Sequence, residues 1–253
     1  MSEWFLSDGS GATAAARVFC FPFAGGNPRM FLDWQPRLAG DAEIVAVCPP
    51  GRGHRATERR PPMEELFDGA ADAIAGALDA DGRPVYLFGH SLGGTIAFEV
   101  ARRLRDRTAL RHLVASSISA PSLLPSPRIR RLAGMEGRAF AEALRFFGGM
   151  PPDVFADEEV LELLLPGLID EFRMAAAYCY RPAEPLAIGV TVITGRHDPH
   201  VAPADLQPWR DECVRPPEFH WVDGAHFYFD TSPLAATDLL RDIVRADQHV
   251  ELI

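Results

Sequence analysis

A short apolar run, Val85-Tyr86-Leu87-Phe88, leads into Gly89-His90-Ser91-Leu92-Gly93 and then into a helix-like stretch from Thr95 to Leu104. Strand, tight turn and helix in that order, with a serine at the apex, are the context in which G-x-S-x-G exposes a nucleophilic serine on a sharp bend. The glycines are there for a steric reason, because side chains at Gly89 and Gly93 would collide as strand and helix converge. The Leu92 amide would then lie at the helix N-terminus, where unpaired N–H groups and the helix dipole favour an oxyanion. A glycine-punctuated βα turn with a capping serine is the competing reading of the same residues, so the rest of the chain must decide.

Six runs read as strands: Arg17 to Phe21, Glu43 to Cys48, Val85 to Phe88, Leu110 to Ser116, Val190 to Thr194 and Glu218 to Val222. Helical periodicity fills most of the gaps. Met63 to Leu78 carries Leu66, Phe67, Ala70, Ile74 and Leu78 near helical spacing, and Ile96, Val100 and Leu104 recur every four residues after the turn. Near the C-terminus Ser232 is placed to cap a helix, Pro233 suits its first position, and Ala236, Leu239, Leu240, Ile243 and Val244 make one apolar stripe. Strands alternating with helices predict an α/β fold, a mostly parallel central sheet covered by helices on both faces, with functional groups at the C-terminal ends of the strands.

From Ser122 to Pro182 the alternation stops. Phe140, Leu144 and Phe147 share one helical stretch, and Val160, Leu161, Leu164, Leu165 and Leu168 the next, with no strand needed. About sixty residues is long for one crossover. The expectation is a core of residues 1–121 and 183–253 with a helical lid, 122–182, inserted over the active edge of the sheet. Phe140, Phe146, Phe147 and Phe172, with Met150 and Met174, are candidates either to line an apolar chamber or to form the lid's own core.

With 253 residues, 47% of them apolar, and no Pro/Gly/Ser-rich linker, one large core is expected. A net charge of −10 argues against nucleic acid as a partner. Met1 to Ala16 lacks a basic segment followed by an apolar one, and no apolar stretch approaches membrane-spanning length, so a cytoplasmic location without membrane attachment is expected; the chain is also expected to be a monomer. Cys20, Cys48, Cys179 and Cys213 form no C-x-x-C pair and read as reduced core residues; neither a metal nor a cofactor is expected.

A serine hydroxyl at neutral pH needs a histidine base, and that base needs an acid to fix its tautomer. In this kind of sheet the chain order is serine, acid, histidine. Thr194-Gly195-Arg196-His197-Asp198-Pro199 follows one strand and Asp223-Gly224-Ala225-His226-Phe227 follows the last, which assigns Ser91 as nucleophile, Asp198 as acid and His226 as base. Asp223 is the rival acid, but a rigid triad draws its acid from a separate strand end. His197 and His200 precede the last strand and His220 lies inside it, so each is a less natural base. His90 takes a supporting role, and His54, His112 and His249 structural or surface ones. A second oxyanion donor falls in Phe21-Pro22-Phe23-Ala24-Gly25-Gly26: Pro22 has no N–H, which leaves Ala24, with Phe23 as alternate, to act beside Leu92. A dinucleotide turn at that place would need G-x-G-x-x-G, which does not occur.

With these residues placed, the chain resembles the type II thioesterases, the discrete editing hydrolases that accompany modular polyketide and nonribosomal peptide synthases. The resemblance covers nearly the whole length and is carried by Phe19-Cys20-Phe21-Pro22-Phe23-Ala24-Gly25-Gly26, Pro49-Pro50-Gly51-Arg52, Gly89-His90-Ser91-Leu92-Gly93-Gly94, Leu164-Leu165-Pro166, Tyr178-Cys179-Tyr180-Arg181-Pro182 and Gly224-Ala225-His226-Phe227. It implies an α/β-hydrolase with a helical lid, a Ser91/Asp198/His226 triad, and release of aberrant or stalled acyl groups from the phosphopantetheine arm of an acyl or peptidyl carrier protein. Three departures concern loop geometry: Gly94 stands where the family often has alanine, Arg196 where an aspartate often follows the glycine, and Ala225 where a glycine is frequent. Carrier proteins are acidic as a class, so Arg52, Arg55, Arg59 and Arg60, and separately Arg128, Arg130 and Arg131, are the candidate docking clusters. A general carboxylesterase or peptidase, and a product-releasing thioesterase, are the rival activities for the same fold; a scaffold without turnover fits the complete Ser, Asp and His set less well.

Overall fold

The computed structural model describes residues 2–145 and 152–250. Seven strands form one sheet: β1 (Phe5–Leu6), β2 (Ala16–Phe21), β3 (Ala42–Val47), β4 (Val85–His90), β5 (Leu110–Ser116), β6 (Gly189–Gly195) and β7 (Glu218–Val222), in the spatial order β1-β3-β2-β4-β5-β6-β7. All neighbours pair in parallel except β1, which runs antiparallel to β3. The six expected runs are strands with ends shifted by at most two residues. β1 falls outside those runs; Phe5 and Leu6 are too short a stretch for periodicity to reveal, and they become a strand through pairing with Val47 and Ala46.

Eight α-helices accompany the sheet among the described residues: α1 (Met63–Asp81), α2 (Leu92–Arg103), α3 (Pro127–Ala133), α4 (Gly137–Leu144), α5 (Pro152–Ala156), α6 (Glu158–Ala176), α7 (Pro203–Leu206) and α8 (Ala235–Val250). The two-residue alternation of the strands sorts the core into two layers. Phe19 and Phe21 of β2, Val45 and Val47 of β3 and Leu87 of β4 pack under α1 and α2. Val18 and Cys20, Ile44 and Ala46, and Tyr86 and Phe88 face the opposite way, toward α8 and a 3₁₀ helix at Pro28–Arg37. β4 is thus covered on both sides, which holds its C-terminal end, and the turn that follows, in a fixed place.

Two local expectations need correction. α8 begins at Ala235 rather than at Pro233, and Ser232 does not cap it: the Ser232 hydroxyl donates to the Asp223 carbonyl at 2.9 Å, pinning the loop after β7. The apolar stripe of α8 is as expected, with Ala236, Leu240 and Val244 fully buried. Cys179 is exposed whereas Cys20, Cys48 and Cys213 are buried, because Cys179 sits in irregular chain beyond α6 rather than on a packed face.

Between β5 and β6 stand α3 to α6, with an apolar cluster of their own that includes Leu132, Phe140, Leu144, Leu168 and Phe172. Phe146, Phe147 and Met150 lie outside the described residues. Among the described residues no helix is long and apolar enough to cross a membrane.

Candidate active site

Ser91 occupies the single residue between β4 and α2, with φ 53° and ψ −119°, a strained conformation for a side chain with a Cβ. Its amide is held by the Ser116 carbonyl of β5 at 2.8 Å. A Cβ on Gly89 would stand 2.1 Å from the Gly93 carbonyl oxygen, so the strand–helix convergence does require glycine there. Gly93 answers to a different neighbour: its Cβ would meet the Phe21 carbonyl oxygen at 2.1 Å, at the end of β2. Gly94, where the family often has alanine, is filled from outside, since a Cβ would lie 2.9 Å from Ile118 Cγ2. Leu92 is the first residue of α2, so its N–H is one of those a helix leaves without an internal partner.

The loops after β6 and β7 meet. Arg196 N–H donates to the Val222 carbonyl at 2.8 Å and His197 N–H to the Gly224 carbonyl at 2.9 Å. Gly195 permits this approach, because its Cβ would lie 2.2 Å from the Ala225 carbonyl oxygen. His226 Nδ1 lies 2.9 Å from Asp198 Oδ2, and both side chains are buried, at 4% and 0% exposure. Asp198 also accepts from the His200 amide at 2.8 Å. Burial pushes the Asp198 carboxyl up, but the hydrogen bond and charge of His226, with the His200 amide, outweigh it and hold the group below the usual carboxylate value. Asp223 faces water, 83% exposed, beside the 76% exposed His197 at 4.0 Å. His200 stands close, its ring edge-on to His226 at 4.9 Å, with Nδ1 2.8 Å from Arg128 Nη1 of α3.

Three polar residues behind the site escaped the sequence reading. Ser117, at φ 47°, donates its hydroxyl to the His226 carbonyl at 3.0 Å and so anchors the backbone of that histidine. Ser116 Oγ bridges His90 Nδ1 and the Tyr228 hydroxyl, each at 2.8 Å. The signal available was position alone, two serines closing a strand at the sheet's functional edge.

His90 is wholly buried with its ring 5.2 Å from that of His226. Burial, with His226 adding to it, holds the His90 imidazole well below its ordinary value, so it stays neutral. The unfolded chain binds that proton near pH 6.5 and the folded one does not, so stability falls as pH drops below about 6.5, by about 1.4 kcal/mol per pH unit for one proton. His112, pushed down to about 4 by burial, acts in the same direction. The urea midpoint should therefore fall between about pH 7.5 and 5.5, and His90→Asn should make that fall shallower. An unchanged slope in the variant would contradict the buried neutral state.

Ser91, Leu92, His226, Phe23 and Ala24 line one cavity of ≈ 220 Å³. Its remaining wall is mainly apolar and comes largely from the helices between β5 and β6: Ile129 of α3, Leu144 of α4, Val154 of α5, and Leu164, Leu168 and Phe172 of α6. Of the six candidate lining residues, Phe172 reaches this cavity, Phe140 is fully buried in the helical cluster, and Met174 borders other hollows.

The first arginine cluster is not a free surface. Arg52 pairs with Glu171 of α6, the buried Arg55 pairs with Glu58 and lies over Trp4, and Arg60 donates to the Gly51 and Gly167 carbonyls, which leaves Arg59 exposed. In the second cluster Arg130 and Arg131 are exposed on α3, while Arg128 turns toward His200.

A mostly parallel sheet covered by helices on both faces, with a serine on the turn after β4, defines an α/β-hydrolase. The chain belongs to the thioesterase family, whose thioesterase domain matches residues 16–245, and is a thioester hydrolase. It is 34% identical over 233 residues to linear gramicidin dehydrogenase LgrE of Brevibacillus parabrevis, covering 90% of this chain and 87% of that protein. It is 34% identical over 216 residues to a probable cadicidin biosynthesis thioesterase of Streptomyces griseus, covering 85% of this chain and 58% of that longer protein. The structure of BorB, a type II thioesterase from the borrelidin biosynthetic cluster, superposes with a TM-score of 0.83 at 28% identity, covering 95% of this chain and 97% of BorB. The dehydrogenase in the first name has no dinucleotide turn to correspond to here, since β2 runs into Phe21-Pro22-Phe23-Ala24-Gly25-Gly26 rather than G-x-G-x-x-G.

Proposed function

We propose that this chain hydrolyses acyl thioesters carried on the phosphopantetheine arm of an acyl or peptidyl carrier protein, clearing aberrant or stalled chains in a polyketide or nonribosomal peptide pathway. The observation that carries the reading is the shared cavity: a strained serine at a helix N-terminus and an Asp198-bound histidine open onto one mainly apolar chamber. Ser91 Oγ attacks the thioester carbonyl carbon as its proton passes to His226 Nε2, and the oxyanion is held by the Leu92 and Ala24 amides. The intermediate collapses, the C–S bond breaks, and the thiolate takes the proton from His226. Water, deprotonated by His226, then attacks the acyl-serine; as the C–O bond breaks, His226 returns that proton to Ser91 Oγ, which frees the acid and restores the serine. Asp198 stays ionised throughout and fixes the His226 tautomer. Thiolate leaves easily, so a site with modest acid assistance suffices.

The helices of residues 122–182 act as a lid, and residues 1–121 and 183–253 as the core; support comes from the wall that α3 to α6 contribute to the cavity. The unpaired cysteines agree with a reducing compartment, where the chain works as a cytoplasmic monomer on its partner. Hydrolysis of a propionyl-loaded carrier protein beside the matching p-nitrophenyl ester tests the reading: preference for the carrier-bound thioester is expected, and ester turnover without such preference would assign a general esterase.

Arg130 and Arg131 are the docking candidates, exposed on α3 near the acid loop. Reversing both to glutamate should raise KM for the loaded carrier about tenfold while a small thioester is unaffected, since rim charges act on encounter with an acidic partner. An equal change for both substrates would remove docking from these residues.

A further inference from the structure

We infer that Glu171 is a positioning residue for the oxyanion-binding turn, acting through the amide of Gly25; this rests on the assignment of Ala24 as a donor. Gly26 N–H donates to the Phe23 carbonyl at 2.8 Å and Gly25 has φ 83°, the combination of a type II turn with Ala24 and Gly25 at its corners. Type I and type II turns differ by a flip of the peptide between the corner residues. The N–H of that peptide, belonging to Gly25, donates to Glu171 Oε2 at 2.7 Å. A flipped peptide would turn the Ala24 carbonyl toward the same carboxylate, acceptor against acceptor, so Glu171 selects one of the two turns. Leu168, one helical turn earlier on α6, packs against the same turn: a Cβ on Gly25 would stand 2.6 Å from Leu168 Cδ2.

A carboxylate as buried as Glu171, at 5% exposure, needs compensation. Arg52 supplies it, donating to Glu171 from both Nε and Nη2, and Arg60 stands 3.5 Å away. Arg60 also ties α6 to the core separately, donating at 3.0 Å to the Gly167 carbonyl on one side and the Gly51 carbonyl on the other. Attachment of α6 therefore has its own contacts, and the carboxylate aimed at Gly25 does something further: it holds the peptide next to Ala24 in one orientation.

The full chain is compared with Glu171→Met, Glu171→Asp and Ser91→Ala, using an octanoyl N-acetylcysteamine thioester as substrate, an octyl trifluoromethyl ketone as transition-state analogue, and thermal melting. Glu171→Met removes the acceptor; Glu171→Asp keeps a charge for Arg52 but withdraws it from Gly25. Both should lower kcat about tenfold with KM within about twofold, and weaken the analogue by the same factor as kcat, a fraction of the 10²–10³-fold that losing a whole oxyanion donor costs. A folded Glu171 variant with kcat within twofold of the parent overturns the proposal, as does an analogue affinity that stays at the parent value while kcat falls, which would trace the loss away from the oxyanion site. Turnover surviving in Ser91→Ala would instead overturn the catalytic assignment on which the proposal rests.

Discussion

Ser91→Ala is expected to lower thioester turnover by about 10⁴-fold or more, since removing one member of the proposed triad would leave little beyond binding and oxyanion stabilisation. Without Oγ no acyl-enzyme can form, although His226, held by Asp198 at 2.9 Å, still has a proton-accepting edge for water. The fold should survive: alanine carries the same Cβ into the same φ of 53°, and the glycines that make the turn possible remain. Melting temperature within a few degrees of the parent, together with loss of acyl-enzyme in rapid-quench mass spectrometry, is the expected pair of results. A variant that still forms acyl-enzyme would place the nucleophile elsewhere. Asp198→Asn should fall by a comparable factor, because an amide at that distance favours the wrong imidazole tautomer.

Gly93→Ala carries the largest expected effect on stability. Its new Cβ would lie 2.1 Å from the Phe21 carbonyl oxygen and 2.7 Å from that of Pro22, and both are backbone atoms, so no rotamer change relieves the contact. Either β2 or α2 must move, and both are packed on each side. A loss of about 3 kcal/mol or more is expected in urea unfolding, toward the upper end for overpacking. Gly76→Ala is the matched control: Gly76 is exposed within α1, a Cβ there meets nothing within 4 Å, and a gain of about 0.5–1 kcal/mol is expected. Equal stability of the two variants would show that the turn can relax, and that glycine at position 93 is not a steric requirement.

The strands, the turn at Ser91 and the meeting of Asp198 with His226 were legible because each depends on local pattern and chain order. A two-residue alternation marks a strand wherever it runs long enough, and two loops that leave neighbouring parallel strands at the same edge must come together. β1 was illegible because two residues carry no period, and the start of α8 because the Ser232 hydroxyl found a partner in the distant Asp223 carbonyl. Arg52 and Arg60, docking candidates in sequence, are tied up within the fold for the same reason: Glu171, their common partner, lies 119 residues beyond Arg52 in the chain.

By itself the sequence determined the layers, the strand–turn–helix bearing Ser91 and the approach of the Asp198 and His226 loops, since these follow from side-chain periodicity, glycine placement and connectivity. Only the tertiary structure decided which charges are buried and paired, that Phe172 faces the cavity while Phe140 does not, and that Ser117, Tyr228 and Glu171 stand behind the site. Those outcomes depend on contacts between residues far apart in the chain, and a carboxylate on a helix reads the same in sequence whether it faces water or the amide of a turn.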